Sequence, residues 1–224
     1  MKDVLNIKAE PSDVAWKLSE TAFLVIDVQK DFVNKGGYGE LLGNNPELLQ
    51  KIIKPTQAVL SAVRSANMIV IHTREGHLSD LSDCPDTKLT RWPEGNRIGD
   101  DGPMGRILIR GEEGHAIVDE LEPQDEELVI DKPGKNSFFN TNLESELRNR
   151  GIVNLLVAGV TTDVCCFTTI TAANDLGFNA MAIQDCMASY DNERHIAALD
   201  IIKAQGGIFG WVARSEEILD ALNR

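Results

Sequence analysis

Six short apolar runs punctuate this chain, and apolar residues recur at helical spacing between them. The runs cover residues 22–28 (AFLVIDV), 68–72 (MIVIH), 127–131 (ELVID), 153–159 (VNLLVAG), 180–184 and 208–212. Near-continuous Val, Leu and Ile of this length read as strands buried on both faces, as in a parallel sheet. After the first run, Leu48, Ile52, Ile53, Val59, Leu60 and Val63 follow a helical period that Pro55 should kink or split. Further helices are predicted over 115–121, 141–150, 162–176, 195–204 and 215–222, the last capped by Ser215. Residues 1–20 show no clear period and read as an extended arm.

Strands alternating with helices predict an α/β fold: a three-layer α/β/α, doubly wound, Rossmann-like domain on a six-stranded parallel sheet, one domain over 1–224. The stretch 73–111 is dense in Gly, Pro, Asp and Arg and too long for a simple connection. It is expected to be ordered and packed over a site or a subunit contact.

Sheets of this kind bind ligands beyond the carboxyl ends of their strands. Asp27, Lys132 and Cys165 stand there, at the ends of the first, third and fourth runs. Thr162 or Asp163 is placed to cap the helix after the fourth run. Cys165 then falls in the first helical turn, where unpaired N–H groups and the helix dipole should lower its pKa and favour the nucleophilic thiolate. Asp27 lies in an apolar run and needs a partner, which Lys132 can supply. Singly, each has a plainer explanation: a cap, a surface charge, a small buried thiol.

Composition narrows the field. A net charge of −13 argues against nucleic acid and anionic membrane surfaces as partners. The longest apolar runs fall far short of a membrane span, and residues 1–3 begin no apolar signal region. Four cysteines without a C-x-x-C pair read as reduced thiols of a cytoplasmic protein, which disfavours a redox role for adjacent Cys165 and Cys166.

Taken together, VIDVQKDF, VIDKPGKNSF and VAGVTTDVCCFTT resemble the isochorismatase-like cysteine hydrolases, in the family's order and over nearly the whole chain. The resemblance implies the strand order 3-2-1-4-5-6 and a catalytic triad of Asp27, Lys132 and Cys165. It also implies an oxyanion hole from the backbone N–H groups of Thr161 and Cys165, with a cis peptide before Thr161. No cofactor and no metal are implied: the nicotinamidase branch carries an Asp-x-His and a further His, and HTREGHLSDLSD lacks that pattern, leaving His72 and His77 as structural or surface residues. Cys166 is expected to pack. IHTREGH, RIGDDGPMGRILIRG and QGGIFG look most like the biuret and triuret hydrolase branch, with ureidoacrylate amidohydrolases as near relatives. The expected activity is therefore C–N cleavage of a small linear ureide, biuret first, with Gln205 and Phe32 binding substrate. Family members are usually homodimers or homotetramers. A catalytically idle binding protein on the same fold is the competing reading, and the intact Asp, Lys and Cys argue against it.

Overall fold

The computed structural model describes residues 3–223. Its central sheet has six strands: β1 (Thr21–Ile26), β2 (Ile69–Glu75), β3 (Leu128–Lys132), β4 (Asn154–Val160), β5 (Asn179–Ala188) and β6 (Trp211–Ala213). All neighbours pair in parallel, in the order β3-β2-β1-β4-β5-β6. This is the doubly wound order expected from the motifs. The sheet is buried because every residue of β1 and β4 is apolar, small or internally bonded, and none of them reaches solvent.

Alternation along β1 divides the core in two. Phe23 and Val25 face Val59, Leu60 and Val63 of helix Ile53–Ser65 and Ile218 of helix Ser215–Asn223. Ala22, Leu24 and Ile26 face the other layer, with Leu143 and Leu147, Ile170 and Ala173, and Leu199 and Ile202 from three helices. Burying these side chains stabilises the fold by roughly 1.5–3 kcal/mol for each large aliphatic group.

Several local expectations are corrected. Residues 3–20 form an antiparallel hairpin, Val4–Ile7 against Val14–Lys17, whose Leu5, Ile7 and Trp16 join the core; residues 1 and 2 lie outside the described range. The period before 66 is split at residues 51–52, and Pro55 sits in the first turn of Ile53–Ser65, where its missing N–H leaves no bond unmade. Residues 113–121 make two short 3₁₀ turns, Glu113–His115 and Asp119–Leu121. Ser215 does not cap the last helix; it opens it, and Asp185 of β5 accepts from both its N–H and its Oγ.

The stretch after β2 is ordered. It carries a helical turn, Asp86–Leu89, and a tiny hairpin, Asp101–Gly102 with Gly105–Arg106. Its Cys84, Ile98, Ile107 and Leu108 make a small core with Tyr38, which holds it against the carboxyl edge of the sheet.

Candidate active site

The site grows from the ends of β1, β2, β3 and β4. Asp27, one residue past β1, has a left-handed backbone (φ 52°) and donates its N–H to Thr73 O of β2. That turn aims its side chain back along the sheet edge. Close approach of β4 to β1 makes room for it: a Cβ on Gly159 would lie 2.0 Å from Ile26 O, so only glycine fits. Gln29, fully buried, ties the next element down. Its Nε2 donates to Glu75 O and its Oε1 accepts the Glu75 N–H, so one amide extends the sheet's bonding pattern to the end of β2.

Lys132 ends β3 with no exposed surface. Its Nζ lies 2.7 Å from Asp27 Oδ2 and donates to Gly134 O and Lys135 O. Asp27 Oδ1 accepts from Thr73 Oγ1 at 2.7 Å. Oδ2 is buried with no aligned hydrogen-bond donor, so it retains a lone pair for a proton. Burial raises the Asp27 pKa, and the opposing pull of Lys132 does not cancel it. Lys132 stays charged: burial disfavours its ammonium, but Asp27, then Cys165 and Glu75, outweigh that and raise its pKa.

After β4 the chain turns through a cis Val160–Thr161 peptide into a wide π-type turn, Thr162–Cys166, and then helix Phe167–Asp175. Cys165 lies in that turn, 5% exposed. Neither expected residue caps it: Thr162 Oγ1 bonds His195 Nδ1, and the Asp163 carboxylate accepts from Ser189 Oγ. The expected low thiol pKa is also reversed. Burial pushes the Cys165 thiol well up, Lys132 pulls it down, and Asp27 and Glu75 push it up again. The resting sulfur is therefore a thiol, and its Sγ–H points to Glu75 Oε2 at 3.6 Å.

Glu75 is the residue that sequence reasoning missed. The apolar run appeared to stop at His72, whereas β2 continues to Glu75 and buries it completely. Lys135 lies 2.6 Å away, Lys88 3.6 Å and Lys132 4.0 Å. Burial pushes its carboxyl up, but Lys135, Lys132 and Lys88 outweigh burial and hold its pKa at about 2. The only available signal was the presence of lysines at 88, 132 and 135 in a chain otherwise dominated by acids.

Acceptor atoms of Asp27, Glu75 and Cys165 lie within 4.8 Å of one another, a spacing that a metal could bridge. The donor set does not fit one, because the ammonium groups of Lys132 and Lys135 already sit against those two carboxylates.

A cavity of about 390 Å³ opens above Cys165 and Glu75. Phe32 and Thr161 line it, together with Tyr38, Trp92 and Tyr190. Gln205 is not brought there. It sits exposed, with φ 51°, where helix Asn192–Gly207 breaks at Ala204, Gln205 and Gly206 to turn towards β6. Cys166 is fully buried in the core, as packing requires, and all four cysteines are free. His72 is buried against Glu127. His77 is buried as well and bonded to Asp83 and Lys88, so it is no surface histidine.

The isochorismatase domain family matches residues 21–217. Ureidoacrylate amidohydrolase RutB of Stutzerimonas stutzeri (strain A1501) is 32% identical over 93% of this chain and 85% of its own length. RutB of Agrobacterium fabrum (strain C58 / ATCC 33970) is 29% identical over 98% of this chain and 97% of its own. Among solved structures, a cysteine hydrolase from Pseudomonas syringae pv. phaseolicola 1448A superposes with a TM-score of 0.80 at 26% identity, covering 93% of this chain and 94% of that one. No helix among the described residues is long and apolar enough to cross a membrane.

Proposed function

Because this chain belongs to the isochorismatase family, we propose that it is a cysteine amidohydrolase cleaving a C–N bond of a small ureide that carries a carboxylate, ureidoacrylate being the representative. The observation that carries the choice of substrate is the charge of the cavity. Lys88, Arg91, Lys135 and Arg194 line it against Glu75, Asp163 and Asp191, an excess of one positive charge in a chain of net charge −13. An anionic substrate satisfies that excess. A neutral ureide such as biuret leaves it unpaired, and Gln205, the residue expected to read biuret, lies outside the cavity.

The two buried carboxylates divide the chemistry by their environments. Glu75, near a pKa of 2, stays an anion and orients the thiol. Asp27, with a raised pKa and a free lone pair on Oδ2, takes the proton of Cys165. The sulfur attacks the ureide carbonyl, and the N–H groups of Thr161 and Cys165 stabilise the oxyanion. As the C–N bond breaks, Asp27 returns the proton to the departing nitrogen. Water, deprotonated by Asp27, then cleaves the S-carbamoyl cysteine, releasing a carbamate, and Asp27 returns that proton to the sulfur. Lys132 stays charged throughout and keeps each anionic state of the pair accessible.

The test is kcat/KM for ureidoacrylate, biuret, triuret and nicotinamide on one preparation, read as ammonia or product release. Ureidoacrylate should lead by at least ~10-fold, the worth of one charge-assisted bond. A lead for biuret would refute the carboxylate reading and leave the cysteine chemistry standing. No turnover of any amide would refute both.

A further inference from the structure

Three lysines surround Glu75, and their partners are not equivalent. The charge of Lys132 is met by Asp27 at 2.7 Å, and that of Lys135 by Glu75 at 2.6 Å. Lys88 only shares Glu75, which Lys135 holds more closely. The Lys88 Nζ bonds two neutral acceptors, His77 Nε2 at 2.9 Å and Pro133 O at 2.5 Å, with Glu75 beyond hydrogen-bond range at 3.6 Å. An ammonium has three N–H groups. Two are used, and the third has only the shared Glu75 carboxylate at 3.6 Å, on a side chain that lines the cavity.

His77 is built for this task. Its ring is fully buried, and Nδ1 lies 3.1 Å from Asp83 Oδ1. Nδ1 therefore carries the proton, and Nε2 presents its lone pair to Lys88. Asp83 is anchored in turn by Arg110 at 3.2 Å and accepts the Leu78 N–H. Burial and the Lys88 charge both lower the His77 pKa, which keeps that lone pair in place near neutrality.

We propose that Lys88, fixed by His77 and Pro133, is the specificity residue that pairs with the carboxylate of the substrate, and that His77 is its positioning residue. This rests on the carboxylate reading above. Lys88 is preferred to Arg91, the other cation on the same wall, for a physical reason. The Lys88 side chain is 22% exposed and doubly tethered, whereas Arg91 is exposed and screened by water. Glu75 lies 3.6 Å from both the Lys88 ammonium and the Cys165 sulfur, so both groups face one cavity on either side of a single carboxylate.

The experiment compares ureidoacrylate with its neutral carboxamide on wild type, Lys88→Met, Arg91→Met, His77→Leu and His77→Gln. Wild type should prefer the carboxylate. Lys88→Met should cut the ratio of kcat/KM for the carboxylate over the carboxamide by about 10- to 150-fold, the range for a charged hydrogen bond, whatever it costs both substrates in common through Glu75. His77→Leu should raise KM for the carboxylate with kcat nearly kept, and His77→Gln, which retains an acceptor, should recover part of it. Melting curves report that each variant is folded. If wild type prefers the carboxylate but Lys88→Met keeps that preference, or Arg91→Met alone destroys it, the assignment to Lys88 falls and the proposed function survives. If wild type shows no preference for the carboxylate, both fall.

Discussion

Replacing Glu75 by glutamine removes one buried negative charge and almost nothing else. The carboxylate sits 3.6 Å from the Cys165 sulfur and within 4.0 Å of three ammonium groups. At about 4 Å a unit charge is worth about 4 kcal/mol at an effective dielectric of 20. Lys135, with its side chain 45% exposed, can swing into water and absorb part of the change. The Cys165 pKa should therefore fall, because Glu75 now pushes it up. Stability should also fall, by up to about 3–5 kcal/mol, as the lysines lose their common anion. The assay is alkylation of Cys165 by iodoacetamide as a function of pH, read by mass spectrometry of the peptide carrying it. Cys166 and Cys186 are fully buried and serve as internal controls. The variant should alkylate faster at neutral pH, with a lower midpoint. If it alkylates more slowly and the midpoint rises, Glu75 is the proton acceptor, and the role given to Asp27 is wrong.

Cys165→Ser should abolish turnover while keeping the fold, whereas Cys166→Ser, changing a core atom, should keep most activity; steady-state rates and melting curves check both. Asp27→Asn leaves buried Lys132 with only Glu75, at 4.0 Å, as an anion, so it should cost up to about 3–5 kcal/mol of stability in urea and at least ~10²-fold in kcat. Burial lowers the pKa of both His72 and His115 to about 4 from the ordinary 6.5. The unfolded chain thus binds more protons between those values, so their contribution is complete above pH 6.5 and is lost as pH falls towards 4. The slope should reach about 1.4 kcal/mol per pH unit for each histidine, and the drop in urea midpoint from pH 7 to pH 5 should shrink in His72→Asn. EDTA should leave activity unchanged; a loss restored by added zinc would show that lysines do not exclude a metal from the two carboxylates.

The sequence by itself determined the six-stranded sheet, its layers and the positions of Asp27, Lys132 and Cys165, because these depend on local pattern. A run buried on both faces has to be apolar, and a functional group at its carboxyl end stands out against it. Elements whose signal lies elsewhere in the chain were not legible. Ser215 looked like a cap, but the capping carboxylate is Asp185, thirty residues away and next to it only in the folded state. Glu75 looked like a loop residue because a charged strand end carries no period, and three distant lysines make its burial tolerable. The thiol pKa was misjudged for the same reason. A helix N-terminus is a local feature that lowers it, whereas desolvation and two neighbouring carboxylates are tertiary features that raise it. Gln205 matched a motif, yet the break of its helix turns it to solvent. Local pattern specifies which elements form and which residues end them. Only packing decides which charges meet without water between them, and that decides the direction in which the pKa of Asp27, Glu75 and Cys165 moves and which cations gather around Glu75.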